Sequence, residues 1–494
     1  MHNTSVNFGH ARTAARTAIA AHLRAAAALG GAFLLAACKT FSADGGVEPV
    51  AAFAKGELGK DVAAIRNEQD ARSARDTVAR LLKRPLTADA AVQVALLNNR
   101  GLQAAYNELG LAEAAMVRSS LPPNPAISVS RLAGGGELEI ERKIIGDILA
   151  LATLPARAEL ASKRFEQAQL RAIFDTLRVA SDTRRAYYQA VAAGELVRFL
   201  NEAQTAARTA TQLARRLGES GALNKLDQAR EQVIFADITT ALANARQRAD
   251  RERERLVRAL GLWGREADVR LARALPKLPA RARALPAIEM EAVKRRIDLQ
   301  IARIEVEALA KSYGLSEATR FINLLEVAGQ SKTVHLPDGE VERQRGVEVE
   351  FQIPIFDFGQ VRVREAEQMY MAAVNRLIEK AVNARSEARE AYRAYRSSYD
   401  IAAHYQREVL PLRKIISEET LLRYNAMQID VFALLAEARQ RLAATTAAIE
   451  ARRDFWIANT NLHVAVVGGS AGGEAGVESA TAMAPAAGGG EANH

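Results

Sequence analysis

Apolar positions along this chain repeat with two periods, one helical and one of two residues. Thr87 is placed to cap a helix in which Ala90, Val94, Leu97 and Leu102 recur at helical spacing. That helix runs to about Ser119, and Pro122-Pro123-Asn124-Pro125 stops it. Ile127 and Val129, then Leu138 and Ile140, alternate with Ser or Glu across Gly134-Gly135-Gly136, which predicts a strand pair with a turn. Pro155 opens a long helical tract to about Leu217, broken by Gly218 and Gly221, and a second tract runs from about Lys225 to Leu260. An irregular joint with Pro276, Pro279 and Pro286 leads to a helix over about 287–312. Strand patterning returns over Arg320–Ala328 and Val347–Ile353, separated by a polar loop with Pro337-Asp338-Gly339. Helical tracts over about 360–424 and about Asp430–Val464 follow, and Pro411 predicts a kink in the first of them.

The order helix, strand pair, long helix, turn, long helix therefore occurs twice. At an offset of 197, Ala95, Leu102, Gln103 and Ala105 fall on Ala292, Leu299, Gln300 and Ala302; at 209, Ala229-Arg230 falls on Ala438-Arg439. Identities between Ala-rich helices carry little weight alone, but low complexity would not also place two strand pairs equivalently. A helix over 158–217 would be about 90 Å long and one over 360–424 about 98 Å. No single globular core is that deep, so the helices must pair along their lengths as two antiparallel coiled-coil hairpins.

Composition narrows the class. The chain has 494 residues with 5% aromatics and a net charge of +9. Long Ala-, Arg-, Glu-, Leu- and Gln-rich stretches favour long helices over a compact α/β enzyme core. The single cysteine excludes an internal disulfide framework and a multi-Cys zinc site. Arg12, Arg16 and Arg24 precede the apolar stretch Ala25–Ala37, which ends in Leu35-Ala36-Ala37-Cys38. This reads as a secretory signal over 1–37. The segment before Cys38 resembles a bacterial lipobox, which implies cleavage before Cys38 and acylation of its thiol. Without the signal the charge is 64 basic against 58 acidic residues, interleaved rather than clustered, which gives no footprint for nucleic acid. Lys39 follows the cysteine, where a sorting rule for inner-membrane retention would want Asp; this points to the outer membrane. Residues 39–60 read as an extended tether and Asp61–Leu82 as a helix, while 468–494 is too rich in Gly, Ala, Ser and Glu to fold.

In the last strand Val347, Val349, Phe351 and Ile353 point one way, and Glu348, Glu350 and Gln352 the other. A sheet on a soluble core gives the same alternation. Four strands beside two long helical hairpins have no such core to cover. If several chains pooled their strands, the apolar faces would meet lipid, the Glu faces, with Glu348 and Glu350, would line a lumen, and no open edge would remain.

The residues from about 85 to 465 resemble the TolC family of outer-membrane efflux channels. The similarity rests on Pro85-Leu86-Thr87 with Asn98-Asn99 and Leu102, on Gly346-Val347 through Ile353-Pro354-Ile355-Phe356-Asp357-Phe358-Gly359-Gln360, and on two turns, Gly221–Arg230 and Tyr424–Arg439. The resemblance implies a mainly α chain with a small β part, four transmembrane strands per chain, and a homotrimer whose 12-stranded barrel continues into an α-helical barrel across the periplasm. It also implies an inner-membrane pump and a periplasmic adaptor as partners. Two features depart from the family: Met427 stands where the second turn usually carries Gly, and Ala433 and Ala436 stand where some members carry Asp. Asp227, Tyr424 and Asp430 are the candidates for a periplasmic gate; the alternative is that both acids cap helices and Tyr424 packs in a seam.

The implied organisation is a signal at 1–37, a lipid-anchored segment at 38–84, a first repeat at 85–264, a connector at 265–285, a second repeat at 286–467 and a tail at 468–494. No phosphate loop, Gly-x-Ser-x-Gly or His-Glu-x-x-His occurs. His335, His404 and His463 lack partners at ligand spacing, so neither catalysis, a metal nor a cofactor is expected. The reading is a passive outer-membrane exit duct of a tripartite efflux system in a Gram-negative bacterium. A type I protein-secretion duct and a lipid-anchored coiled-coil scaffold without a pore are the alternatives. The cargo is not legible.

Overall fold

The computed structural model describes residues 40–221 and 223–469. The signal, Cys38 and the tail from residue 470 lie outside the described residues. The helices are α1 (Glu48–Phe53), α2 (Glu68–Leu82), α3 (Ala88–Asn98), α4 (Arg100–Ser120), α5 (Ile148–Glu219), α6 (Lys225–Leu260), α7 (Ile288–Arg295), α8 (Ile297–Ala318), α9 (Gln360–His404), α10 (Leu410–Asn425) and α11 (Val431–His463). The strands are β1 (Ala126–Gly134), β2 (Glu137–Asp147), β3 (Leu324–His335) and β4 (Val341–Gln352). They form one antiparallel sheet in the order β1-β2-β3-β4.

The chain divides into two compact units. The first holds the sheet within Leu109–Ala168 and Ile304–Val374, together with residues 40–46. Its helical ends are fastened by the Met116, Val117 and Ala161 cluster with Phe165, and by the Lys163–Glu307 pair at 3.2 Å. The second unit holds Val47–Glu108, Gln169–Arg303 and residues 375–469. Its core gathers Leu86, Val94, Leu97, Tyr187, Leu256 and Leu260. Aromatic rings extend that core: Tyr188 stacks on Trp456 at 5.5 Å, Phe455 meets Trp456 at 5.1 Å, and Tyr395 and Tyr399 both meet Phe455 at 5.6 Å. The proline-rich joint is tied to these rings, since Trp456 Nε1 donates to Pro276 O and the Tyr399 hydroxyl to Ala280 O.

Antiparallel pairing of the hairpins is visible in side chains. Leu196 and Leu200 of α5 pack with Leu242 and Ala245 of α6, and Arg413 of α10 pairs with Glu437 of α11 at 3.1 Å. The two hairpins also meet, through Arg248 with Glu450 at 3.1 Å and Arg439 with Asp237 at 2.7 Å.

Several expectations need correction. The segment 39–60 is not extended throughout: Val50, Ala54 and Leu58 bury one stripe of α1 and the π turn Ala54–Leu58. The next helix starts at Glu68 rather than Asp61, because Asn67 accepts the Asp70 N–H and caps it there. Pro155 does not begin the long helix. Asp147 accepts the Ala150 N–H at 2.7 Å, so α5 starts at Ile148 and carries the proline inside. The first helix of each half is interrupted, at Asn99 and at Arg296. Strands β3 and β4 extend well beyond Ala328 and begin well before Val347, which shrinks the expected loop to a tight turn at Leu336–Glu340. Near Pro411, where a kink was expected, the helix takes a π turn, Tyr405–Val409.

Candidate functional site

The two faces of the sheet differ in kind. Register places Val347, Val349 and Phe351 opposite Gly329, Val327 and Leu325, and carries the row on to Ile144 and Ile127. Val347, Val349 and Phe351 are 74%, 55% and 61% exposed, so this apolar face is uncovered in the single chain. Phe321, Ile355, Phe356 and Phe358 are exposed as well, next to the ends of β3 and β4 where the strands pass to helices.

The opposite face is polar and largely paired. Lys143 reaches Glu141 at 3.4 Å and Glu348 at 3.1 Å, and Lys332 reaches Glu139 at 2.7 Å. Glu348 and Glu350, expected together on a lumenal face, do share this one. The register adds a feature that sequence alone did not reveal. Glu350 lies directly opposite Glu326, which lies opposite Asp147, so three carboxylates from three strands form one row. Asp147 is engaged as the cap of α5; neither Glu326 nor Glu350 has an ion-pair partner among the described residues. Only the pairing of β2 with β3, strands from different halves of the chain, brings Asp147 to this row.

The strand-to-helix passage after β4 is tightly determined. Asp357 accepts the Gly359 N–H at 3.1 Å, and Phe358 and Gly359 have φ of 47° and 72°. A Cβ on Gly359 would stand 2.1 Å from Arg320 O, so no other residue fits.

The first helix turn closes with Gly221 at φ 78°, and a Cβ on Gly218 would collide with the Gln228 amide. Asn224 caps α6: its Oδ1 accepts the Asp227 N–H at 2.9 Å, and its Nδ2 donates to Asp227 Oδ2 at 2.8 Å. Asp227 is therefore inside the first helical turn, 9% exposed, with Arg230 at 3.7 Å. One turn on, Glu231 is buried, which pushes its carboxyl above the usual range. In the second turn Asp430 caps α11 by accepting the Ala433 N–H at 2.9 Å. Tyr424 is half-buried, and its carbonyl accepts the Met427 N–H. Met427 has φ of 55° and is 93% exposed. This left-handed backbone favours glycine, so Met427 carries strain there.

His404 lies 3.1 Å from Glu408 and His463 3.8 Å from Glu57, and no group of His, Cys, Asp or Glu among the described residues could hold a metal. No described helix is long and apolar enough to cross a membrane.

No family model and no curated protein matches this sequence significantly. Among solved structures, the chain is similar to the CmeC outer membrane channel of Campylobacter jejuni, with a TM-score of 0.64 at 15% identity over 82% of this chain and 89% of that one. It is similar to a membrane protein of Pseudomonas aeruginosa, with a TM-score of 0.66 at 17% identity over 79% and 93%. It is also similar to the MtrE outer membrane channel of Neisseria gonorrhoeae in its open state, with a TM-score of 0.63 at 15% identity over 79% and 89%. At such identities the likeness concerns the fold of the single chain, mainly helical with a small antiparallel sheet, and it supports the resemblance to the TolC family.

Proposed function

From the fold of an outer-membrane channel, which this chain has, we propose that it is a passive exit duct of a tripartite efflux system. Three copies pool their sheets into a 12-stranded barrel. The apolar faces meet lipid, and the Glu348 and Glu350 faces line water. The helical hairpins continue the duct across the periplasm to an adaptor and an inner-membrane pump. The observation that carries this reading is the uncovered apolar face of a sheet whose other face is charged and largely paired within itself. The domain scheme read from the sequence, from the signal at 1–37 to the tail at 468–494, belongs to the same proposal. So does acylation of Cys38 in the outer membrane, which Cys38→Ser should abolish in a labelling experiment.

The duct performs no chemistry; it opens when the helical hairpins separate at the two turns. Asp227, Tyr424 and Asp430 are the gate candidates, and six such turns would converge in a trimer. Single-channel recording of the purified protein in a planar bilayer tests the reading. Discrete conductance is expected, and its absence from correctly assembled protein would favour the pore-free scaffold. Tyr424→Phe with Asp227→Ala should raise the resting conductance without lowering the amount of trimer, since a hydrogen bond lost at the gate is worth about 0.5–1.5 kcal/mol. Resting conductance equal to the wild type in an intact trimer would remove the gate from these residues.

A further inference from the structure

The apolar face of the sheet is not apolar to its end. Beyond Val347, towards the hairpin tips, the same face carries Arg345 and Arg343 on β4, Arg142 on β2 and Arg131 on β1. Register sets Arg142 and Arg345 on either side of Ser331, in one row across three strands. With strands ~4.8 Å apart, the two arginines stand about 10 Å from each other at the backbone, with a small hydroxyl residue between them. The next row outwards holds Arg131, Ile140, Thr333 and Arg343.

All four arginines are exposed, and among the described residues none of their side chains has an ion pair or hydrogen bond. The contrast with the other face is sharp, because Lys143 and Lys332 at the same level are both neutralised by glutamates. Unpaired guanidiniums on a lipid-facing surface need interfacial water or anions, since charge in hydrocarbon is costly. Arginine matches phosphate best, through a planar fork with two parallel N–H···O bonds. The apolar rows below, from Ile353 to Val347, are suited to acyl chains, and Phe356 and Phe358 follow Ile353 along the chain.

We propose that Arg142 and Arg345, flanking Ser331 and backed by Arg131 and Arg343, form a binding site for the phosphate groups of a phosphorylated saccharolipid of the outer leaflet. This rests on the outer-membrane reading, which directs the hairpin tips outwards and so sets the arginines at the level of outer-leaflet headgroups. The lipid chains lie along the apolar rows while the headgroup phosphate bridges the two guanidiniums.

The test uses the full chain reconstituted into phosphatidylcholine vesicles containing diphosphoryl lipid A, dephosphorylated lipid A or phosphatidylglycerol. Detergent extraction followed by mass spectrometry reads the lipid retained per protein. Wild type should retain diphosphoryl lipid A at least 10-fold over the dephosphorylated form. Arg142→Gln with Arg345→Gln should lower that enrichment at least five-fold, and the double Lys variant should recover part of it. Gln344→Ala, on the opposite face of β4, should change nothing. Unchanged enrichment in the double Gln variant would overturn the site, and equal retention of phosphatidylglycerol would overturn the saccharolipid as its occupant. Conductance separates the two readings: protein that conducts without lipid enrichment overturns only this site, whereas protein that neither inserts nor conducts overturns both.

Discussion

Asn99 and Arg296, 197 positions apart, interrupt their helices with the same backbone geometry. Their ψ angles are 116° and 127°; their N–H groups donate to Ala95 O and Ala292 O, and their carbonyls accept from Gln103 and Gln300. The offset is the one that aligns Ala95 with Ala292 in the sequence, so the halves share a defect as well as an order of elements. The side chains at the break differ. Asn98 and Asn99 donate to Leu260 O, Gly261 O and Ala259 O at the end of α6, a neutral C-terminal cap. Arg296, only 2% exposed, is clamped by Asp298 at 2.7 Å and Glu387 at 2.6 Å.

That difference predicts unequal costs. Arg296→Met should destabilise the second unit by about 3–5 kcal/mol, because Asp298 and Glu387 are left without their cation. Asn99→Ala should cost about 1–2 kcal/mol. Denaturant titration followed by helical circular dichroism measures both; equal losses would show that the ion cluster adds nothing at the break.

Met427→Gly should stabilise the second turn by about 1 kcal/mol, since glycine occupies a φ of 55° without the Cβ strain that methionine carries. Slower amide exchange over Tyr424–Asp430 is the readout. Faster exchange would mean that the methionine side chain holds the turn in the assembled protein.

His463 sets a pH dependence. Its Nε2 is buried without a hydrogen bond, and burial pushes its pKa below the ordinary 6.5. Glu57 opposes that shift, and Arg184, Arg283 and Arg295 reinforce it. Above pH 6.5 the ring is neutral folded and unfolded, so it contributes no pH term. As pH falls through 6.5 the unfolded chain takes up a proton that the folded chain resists. Stability should therefore decline as pH falls below 6.5, by up to about 1.4 kcal/mol per pH unit from this group. His463→Leu should flatten that limb of the thermal-melt profile.

Val349→Arg should cost about 2–4 kcal/mol if the row lies near the bilayer midplane, seen as lost assembled protein in membrane fractions. Glu350→Gln should assemble normally and weaken cation selectivity, read as a shift in reversal potential under a salt gradient, because one carboxylate of the Glu350–Glu326–Asp147 row is removed. Equal tolerance of both changes would argue for a sheet that never meets lipid.

Most elements were legible because their apolar residues keep one period: α6 begins at Lys225 and ends at Leu260, as the spacing predicts. The tip halves of β3 and β4 were not, because Gln330, Lys332, Arg343 and Arg345 put polar groups on both faces and erase the alternation. The breaks at Asn99 and Arg296 were hidden for a different reason. Nothing in Asn-Arg-Gly or Arg-Arg-Ile forbids a helix, and only contacts with distant carbonyls and carboxylates favour the interruption. Of the candidate site, the two-faced strand was visible in Val347–Gln352. The acidic row was not, since its three members come from segments that only the sheet register brings together.

The sheet order β1-β2-β3-β4 leaves β1 and β4 as its free edges, one from each half of the chain. In the proposed trimer these two unlike edges close the ring head to tail, each copy using one edge towards each neighbour. A copy with a blocked β1 edge therefore spoils a junction that its healthy neighbour also needs. In a cell making equal amounts of intact and blocked chains, random assembly into threes would leave only about one ring in eight free of the lesion. The genetic signature of this topology is dominance: an edge allele should silence most of the good protein expressed beside it.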